Sequence, residues 1–205
     1  MRINKSKSMC IRFGPRFNYK CANLVSIHGD KFSWVFKCRY LGAQFVSART
    51  FKCSFSEVKS NFFRAFNGIY GKIGRSASEE TVLALLNAKC LPILLFQTEA
   101  CTMLSRDKQS LEFAMTRLFM KIFRTGSASI VVECQRSFNF IPIKLQISIR
   151  TAKFLQRFVA SENSLCLLFS PEASNKLNTI LSCYGKNVRS ASKLNCIIRE
   201  LYCVS

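Results

Sequence analysis

The 205 residues predict an α+β chain that is mostly α: a short antiparallel β-hairpin region, then a helical bundle and a helical tail. Three observations carry this. Residues 7–46 alternate apolar and polar side chains, with glycine-bearing turns between the alternating runs. From residue 54 onward apolar residues recur at the three- and four-residue spacing of a helix face. Hydrophobic residues make up 49% of the chain, with 19 Phe, enough for a core and too many for a disordered basic tail.

The elements follow in order. "SMCIRF" alternates and Gly14-Pro15 ends it. "CANLVSI" and "KFSWVF" flank His28-Gly29-Asp30, a hairpin turn signal. "CRYLGAQFV" reads as a further β segment with Gly42 inside it, which marks a bulge or a close backbone approach. Ser54-x-x-Glu57 is a capping box opening a helix with Phe55, Val58, Phe62, Phe66, Ile69 and Ile73 on one face. Its opposite face carries Arg64, Gly68, Gly71 and Arg75. Ser76-x-x-Glu79 opens "EETVLALLNAKC", which Pro92 interrupts. Asp107 begins a third helix with Leu111, Met115, Leu118, Phe119 and Ile122 inward. Arg117, Lys121 and Arg124 form a basic stripe opposite that face. Residues 143–159 repeat the plan, with Leu145, Ile149, Ala152, Leu155 and Val159 on one face and Arg150, Lys153 and Arg157 on another. Ser170-Pro171-Glu172 is a helix start, and residues 173–203 read as one or two short helices broken near Gly185. The expected organisation is therefore a β region over 1–50, a helical region over 51–160 and a helical extension over 161–205.

Composition narrows the function. The net charge is +20, from 31 Lys and Arg against 11 acids. Such an excess repels itself unless a polyanion offsets it, which makes nucleic acid the first partner to consider. The eleven cysteines contain no Cys-x-x-Cys pair and the only histidine is His28, so no zinc site is expected. The N-terminus lacks the apolar stretch of a secretory signal, so the thiols are expected to be reduced and the chain intracellular, in nucleus or cytoplasm. The first 29 residues hold basic groups and no acid, as a targeting presequence does, but Gly14-Pro15 argues against a long helix there. The longest apolar run, "CLPILLF", is too short to span a bilayer, and no membrane partner is expected.

Two-metal nucleotidyl transfer needs clustered carboxylates. The only aspartates, Asp30 and Asp107, fall on different elements. Glu79-Glu80 lies in a helix first turn, where the helix dipole accounts for it. Neither a phosphate-binding Gly-x-x-x-x-Gly-Lys loop nor a Gly-x-Ser-x-Gly elbow occurs. No catalytic residue is assigned.

"INKSKSMCIRFG", a hairpin, "RYLG" and Phe-rich basic helices, in that order, resemble the reverse transcriptases of non-LTR (LINE-type) retrotransposons. The likeness covers roughly residues 3–160. The family's Asn-x-x-Lys-Ser/Thr element matches Asn4, Lys7 and Ser8, and its Tyr-Leu-Gly primer grip matches Tyr40, Leu41 and Gly42, preceded by Arg39. "NGIYGKIGRSASEE" and "KCLPILLFQTEAC" are similar to the thumb and the region after it.

The resemblance implies an RNA or RNA–DNA hybrid partner and, in the intact family enzyme, Mg²⁺. It also implies a role for the missing polymerase portion, because the family's Phe/Tyr-x-Asp-Asp box is not in this sequence. The expectation is a truncated copy without activity or cofactor of its own; the alternatives are a stand-alone basic helical RNA-binding or assembly protein, and an unfolded, functionless translation product. The candidate contacts are Lys7, Arg39, Tyr40, Leu41, Gly42, Arg64, Arg75, Arg117, Lys121 and Arg124. Lys7 reads as a solvated strand lysine or one facing a nucleotide. Tyr40 reads first as a residue of the palm–thumb core that the resemblance implies and second as a platform for a sugar.

Overall fold

The computed structural model describes residues 4–74, 76–185 and 188–202, apart from the side chain of Lys5. The fold is α+β and mostly helical. It divides into two compact units, Met1–Glu57 and Val58–Ser205.

The first unit holds two small three-stranded sheets. In one, β1 (Met9–Cys10), β2 (Leu24–Val25) and β3 (Lys31–Trp34) lie in the order β1-β3-β2. β2 and β3 are the antiparallel hairpin expected around His28-Gly29-Asp30, with Leu24 opposite Phe32. Gly29 turns at φ 82°, and the Ser26 hydroxyl accepts the backbone N–H groups of His28 and Asp30. β1 departs from the antiparallel expectation, because it pairs parallel to β3, Met9 opposite Ser33. The chain between the two, residues 11–30 with β2 inside it, is long enough for such a parallel crossover. Buried Ser47 donates to the carbonyls of Arg12 and Phe17 and so ties down the residue 11–23 connection between β1 and β2.

The other sheet is β4 (Lys37–Tyr40), β5 (Ala43–Val46) and β6 (Cys53–Ser54), antiparallel throughout. "CRYLGAQFV" is thus two strands rather than one. Tyr40 pairs with Ala43, and Leu41-Gly42 is the whole loop. Both loop residues have positive φ, 48° and 82°, the type I′ pattern whose twist suits a two-residue hairpin.

The second unit is helical. α1 (Ser56–Ile73) buries Val58, Phe62 and Phe66, as its apolar period requires. At its start the Ser54 hydroxyl accepts the Ser56 N–H at 3.5 Å. Ser54 itself ends β6, the helix begins at Ser56, one residue later than expected, and Glu57 is ion-paired with Arg39 at 3.1 Å. The second cap shifts: Ser78, not Ser76, receives the Thr81 N–H and starts α2 (Glu79–Leu85). A π turn over Leu86–Cys90 leads into α3 (Leu91–Leu94). The Pro92 ring would meet the carbonyl of Ala88 in a regular helix, and the wider turn relieves it.

α4 (Ser105–Ile122) buries every inward residue expected of it, and the Asp107 carboxylate accepts the Leu104 N–H at its start. α1 and α4 run side by side in the same direction. Lys59 donates to Ser110 Oγ near their starts, and Tyr70 donates to the Lys121 carbonyl near their ends. α5 (Ala128–Ser137) follows, and Phe140 meets Phe119 edge-on at 5.0 Å.

α6 (Ile143–Val159) is the central helix, packed against α4 and against the chain's last helices. It buries Ile143, Ile147 and Thr151 in addition to Ile149, Ala152 and Leu155. A core face alone accounts for the second set; packing on a further side accounts for the first. α7 (Ser164–Leu168), α8 (Ser170–Ser182) and α9 (Ala191–Tyr202) complete the chain. Gly185, at φ 131°, separates the last two where the sequence placed the break. Leu181, Val188, Ala191, Leu194 and Ile198 close over Ile149 and Ala152 in one buried cluster. The bidentate pair between Arg150 and Glu99, 3.0 Å at its shorter contact, fastens α6 to the turn after α3. Burial acts to raise the Glu99 pKa, but hydrogen bonds and charge from Arg150 outweigh it and leave the carboxyl below its ordinary value.

Candidate nucleic-acid interface

In the first unit Arg39, Tyr40, Leu41 and Gly42 gather at the β4–β5 tip. Tyr40 is 66% exposed and Leu41 80% exposed. The expectation that Tyr40 fills the core is therefore wrong. It is the last residue of β4, the outer strand of its sheet, and directly precedes a two-residue loop. Leucine in the left-handed region is strained by about 1–2 kcal/mol, since its Cβ crowds the following carbonyl. Gly42 meets no such penalty. The tip thus combines a fixed, tight backbone with two large side chains in water. Arg39 lies beside it and is exposed, with its guanidinium shared with Glu57. Lys7 is exposed but is not on a strand. It ends a short 3-10 turn, where the Asn4 side chain accepts the Ser6 N–H and hydroxyl.

In the second unit two helices carry the remaining candidates. On α1, Arg64 is exposed and its guanidinium donates to Asn61 Oδ1 at 3.3 Å. Gly68 and Gly71 are exposed, and a Cβ built on either would touch nothing. Arg75 lies outside the described residues. Asn61, Arg64, Ala65, Gly68, Ile69 and Lys72 line an open groove of about 510 Å³ along this one helix. Lys72 is the residue that sequence reasoning missed. Its signal was present, because 64, 68 and 72 recur at four-residue spacing and share a face.

On α4 the stripe is only partly as expected. Arg117 is exposed, its guanidinium 5.8 Å from the centre of the exposed Phe113 ring. Lys121 reaches back to α1: its ammonium donates to Asn67 Oδ1 at 3.0 Å and lies 5.1 Å from the Tyr70 ring centre. Arg124 is beyond the helix end, in left-handed backbone at φ 50°, so it does not continue the helical row. The i, i+4, i+7 spacing assumed one unbroken helix, and α4 ends at Ile122.

The groove can hold an anionic backbone against Arg64 and Lys72, with no carboxylate among its described lining residues. Glu79 and Glu80 stand in the first turn of α2, where the N-terminal dipole favours them. Among the described residues no group of three His, Cys, Asp or Glu comes together, and no helix is long and apolar enough to cross a membrane. The chain matches no protein-family model, no curated protein and no solved structure.

Proposed function

We propose that the chain grips a template–primer duplex of RNA and DNA, in the manner of the primer-grip and thumb portion of a non-LTR reverse transcriptase. The observation that carries this reading is the β4–β5 tip: a strained two-residue turn that holds Tyr40 and Leu41 in solvent. Strained backbone of this kind concentrates at sites that contact ligands. Supporting it are the exposed cations of Arg64 and Lys72 along the α1 groove and Arg117 on α4. Phosphate contacts from such helices position a duplex without reading its sequence.

On this reading the chain contributes grip and no chemistry. Its two aspartates sit in a hairpin turn and at a helix start. Polymerising carboxylates and their Mg²⁺ belong to a partner polymerase portion. The compartment follows from the template, in nucleus or cytoplasm. A stand-alone basic RNA-binding protein is the second reading, favoured by the cluster through which α8 and α9 close over α6.

Binding to an RNA–DNA hybrid, followed by anisotropy against salt, tests the grip. Replacing Arg64, Lys72 and Arg117 by Gln should reduce the log–log salt slope by about 1 for each phosphate no longer neutralised. Affinity should fall alike for hybrids of different sequence, with helicity retained. An unchanged slope in a folded triple variant would remove these helices from the interface. Weakening confined to particular sequences would favour the second reading.

A further inference from the structure

A second surface lies entirely within the first unit, and none of the contacts described above belongs to it. A groove of about 590 Å³ opens between the residue 11–23 connection and β3, a size within the range of ligand pockets. Tyr19 and Phe36 stand on it 66% and 69% exposed. Trp34 lines it, half-buried, with the indole N–H donating to the Ala22 carbonyl at 2.9 Å. Arg12 places its guanidinium 5.8 Å from the centre of that indole ring. Lys20 and Lys31 are exposed on the same groove, and among the described residues no carboxylate lines it.

Large aromatic side chains are costly to leave in water, and two on one groove make a platform. The cations beside them set the sign of the ligand. Residues 1–57 hold eleven Lys and Arg against two acids, so the surrounding field is also positive. Flat apolar faces next to fixed positive charge complement one polymer chemistry well: bases joined by phosphates. A paired duplex hides its base faces in the stack, whereas an unpaired strand offers them.

We infer that this groove binds single-stranded nucleic acid, with unpaired bases stacked on Tyr19 and Phe36 and the phosphates met by Arg12, Lys20 and Lys31. The ordered Trp34 edge and the Ser47 bonds that hold the connection keep the floor in place before the strand arrives. Readout is by stacking and charge, so many sequences are accepted. The inference shares with the proposed function only the nucleic-acid ligand, and it uses a separate set of residues.

Trp34 is the only tryptophan, so its emission reports on this groove alone. The full chain is titrated with uridine and thymidine homopolymers of about 12 nucleotides, a length within the usual single-strand site sizes. A blunt RNA–DNA hybrid and inorganic polyphosphate serve as parallel titrants. Both homopolymers should quench Trp34, less so as salt rises, while the hybrid binds without comparable quenching. Tyr19→Ser and Phe36→Ser, both at exposed positions, should each weaken single-strand binding about tenfold and leave hybrid affinity unchanged. Equal affinity for RNA and DNA and a preference for RNA both support the site, the latter adding a contact to the 2′-hydroxyl. Single strands that bind without quenching Trp34, or a Tyr19→Ser, Phe36→Ser double variant with wild-type affinity, would overturn the inference while leaving the hybrid grip standing. Polyphosphate that binds as tightly as the homopolymers would also overturn it, because charge alone would then suffice. Failure of the hybrid alone would sink the proposed function and leave this site intact.

Discussion

Replacing Leu41 by Asn separates the stability of the β4–β5 hairpin from its use. Leu41 lies at φ 48° and is 80% exposed, so the substitution removes little packing and acts mainly on the backbone. Leucine there costs about 1–2 kcal/mol, while asparagine enters left-handed backbone far more readily. Asn-Gly is also the preferred pair for a type I′ loop. Leu41→Asn should therefore stabilise the protein by about 1 kcal/mol. In a chain of this length that raises Tm by about 2–4 °C. A calorimetric or circular-dichroism melt of both proteins measures it. Binding should move the other way. If the tip grips a primer, removing a leucine whose burial there is worth roughly 1.5–3 kcal/mol lowers hybrid affinity tenfold or more. A lower Tm in the variant would refute the strain argument. A higher Tm with unchanged hybrid affinity would remove the tip from the grip.

Two further predictions concern the helical unit. The half-buried Glu112 carboxylate accepts the Lys144 N–H in the first turn of α6, where Pro142 offers no side-chain cap. Burial pushes the Glu112 pKa up despite that bond, so the native state holds more protons than the unfolded chain just above the ordinary carboxyl range. Stability from this group therefore falls as pH rises from its unfolded pKa through its higher folded one. Glu112→Gln keeps an acceptor and should remove that slope, becoming the more stable protein at pH 7, whereas Glu112→Ala should lose about 1 kcal/mol with the cap; urea melts from pH 4 to 8, run in steps of about one unit, measure both. Leu194, fully buried on α9, packs in the cluster with Ile149 and Ala152. Leu194→Ala should cost about 2–5 kcal/mol by denaturant unfolding, and a cost under about 1 kcal/mol would mean that α9 is not part of this core.

The sequence by itself determined the class and most helices of this protein. The inward row of α4, the limits of α6 and the break at Gly185 were legible, because each depends on side chains within one or two turns of one another. The His28-Gly29-Asp30 turn was legible for the same reason. Tertiary structure alone decided which competing local signal prevailed. Ser54 and Ser76 both carry the capping pattern, yet Ser54 is also paired in β6, so that α1 begins only at Ser56, and Ser78, two residues past Ser76, starts the second helix. It also decided which cations other side chains engage. Lys121 and Arg150 look like Arg117 in the sequence, but Asn67 and Glu99, each about 50 residues away in the chain, hold them. The parallel pairing of β1, the second buried side of α6 and the groove around Trp34 likewise join residues far apart in the chain. Periodicity records which way a side chain faces relative to its own helix or strand; what it meets there is set by packing between elements, which no local spacing encodes.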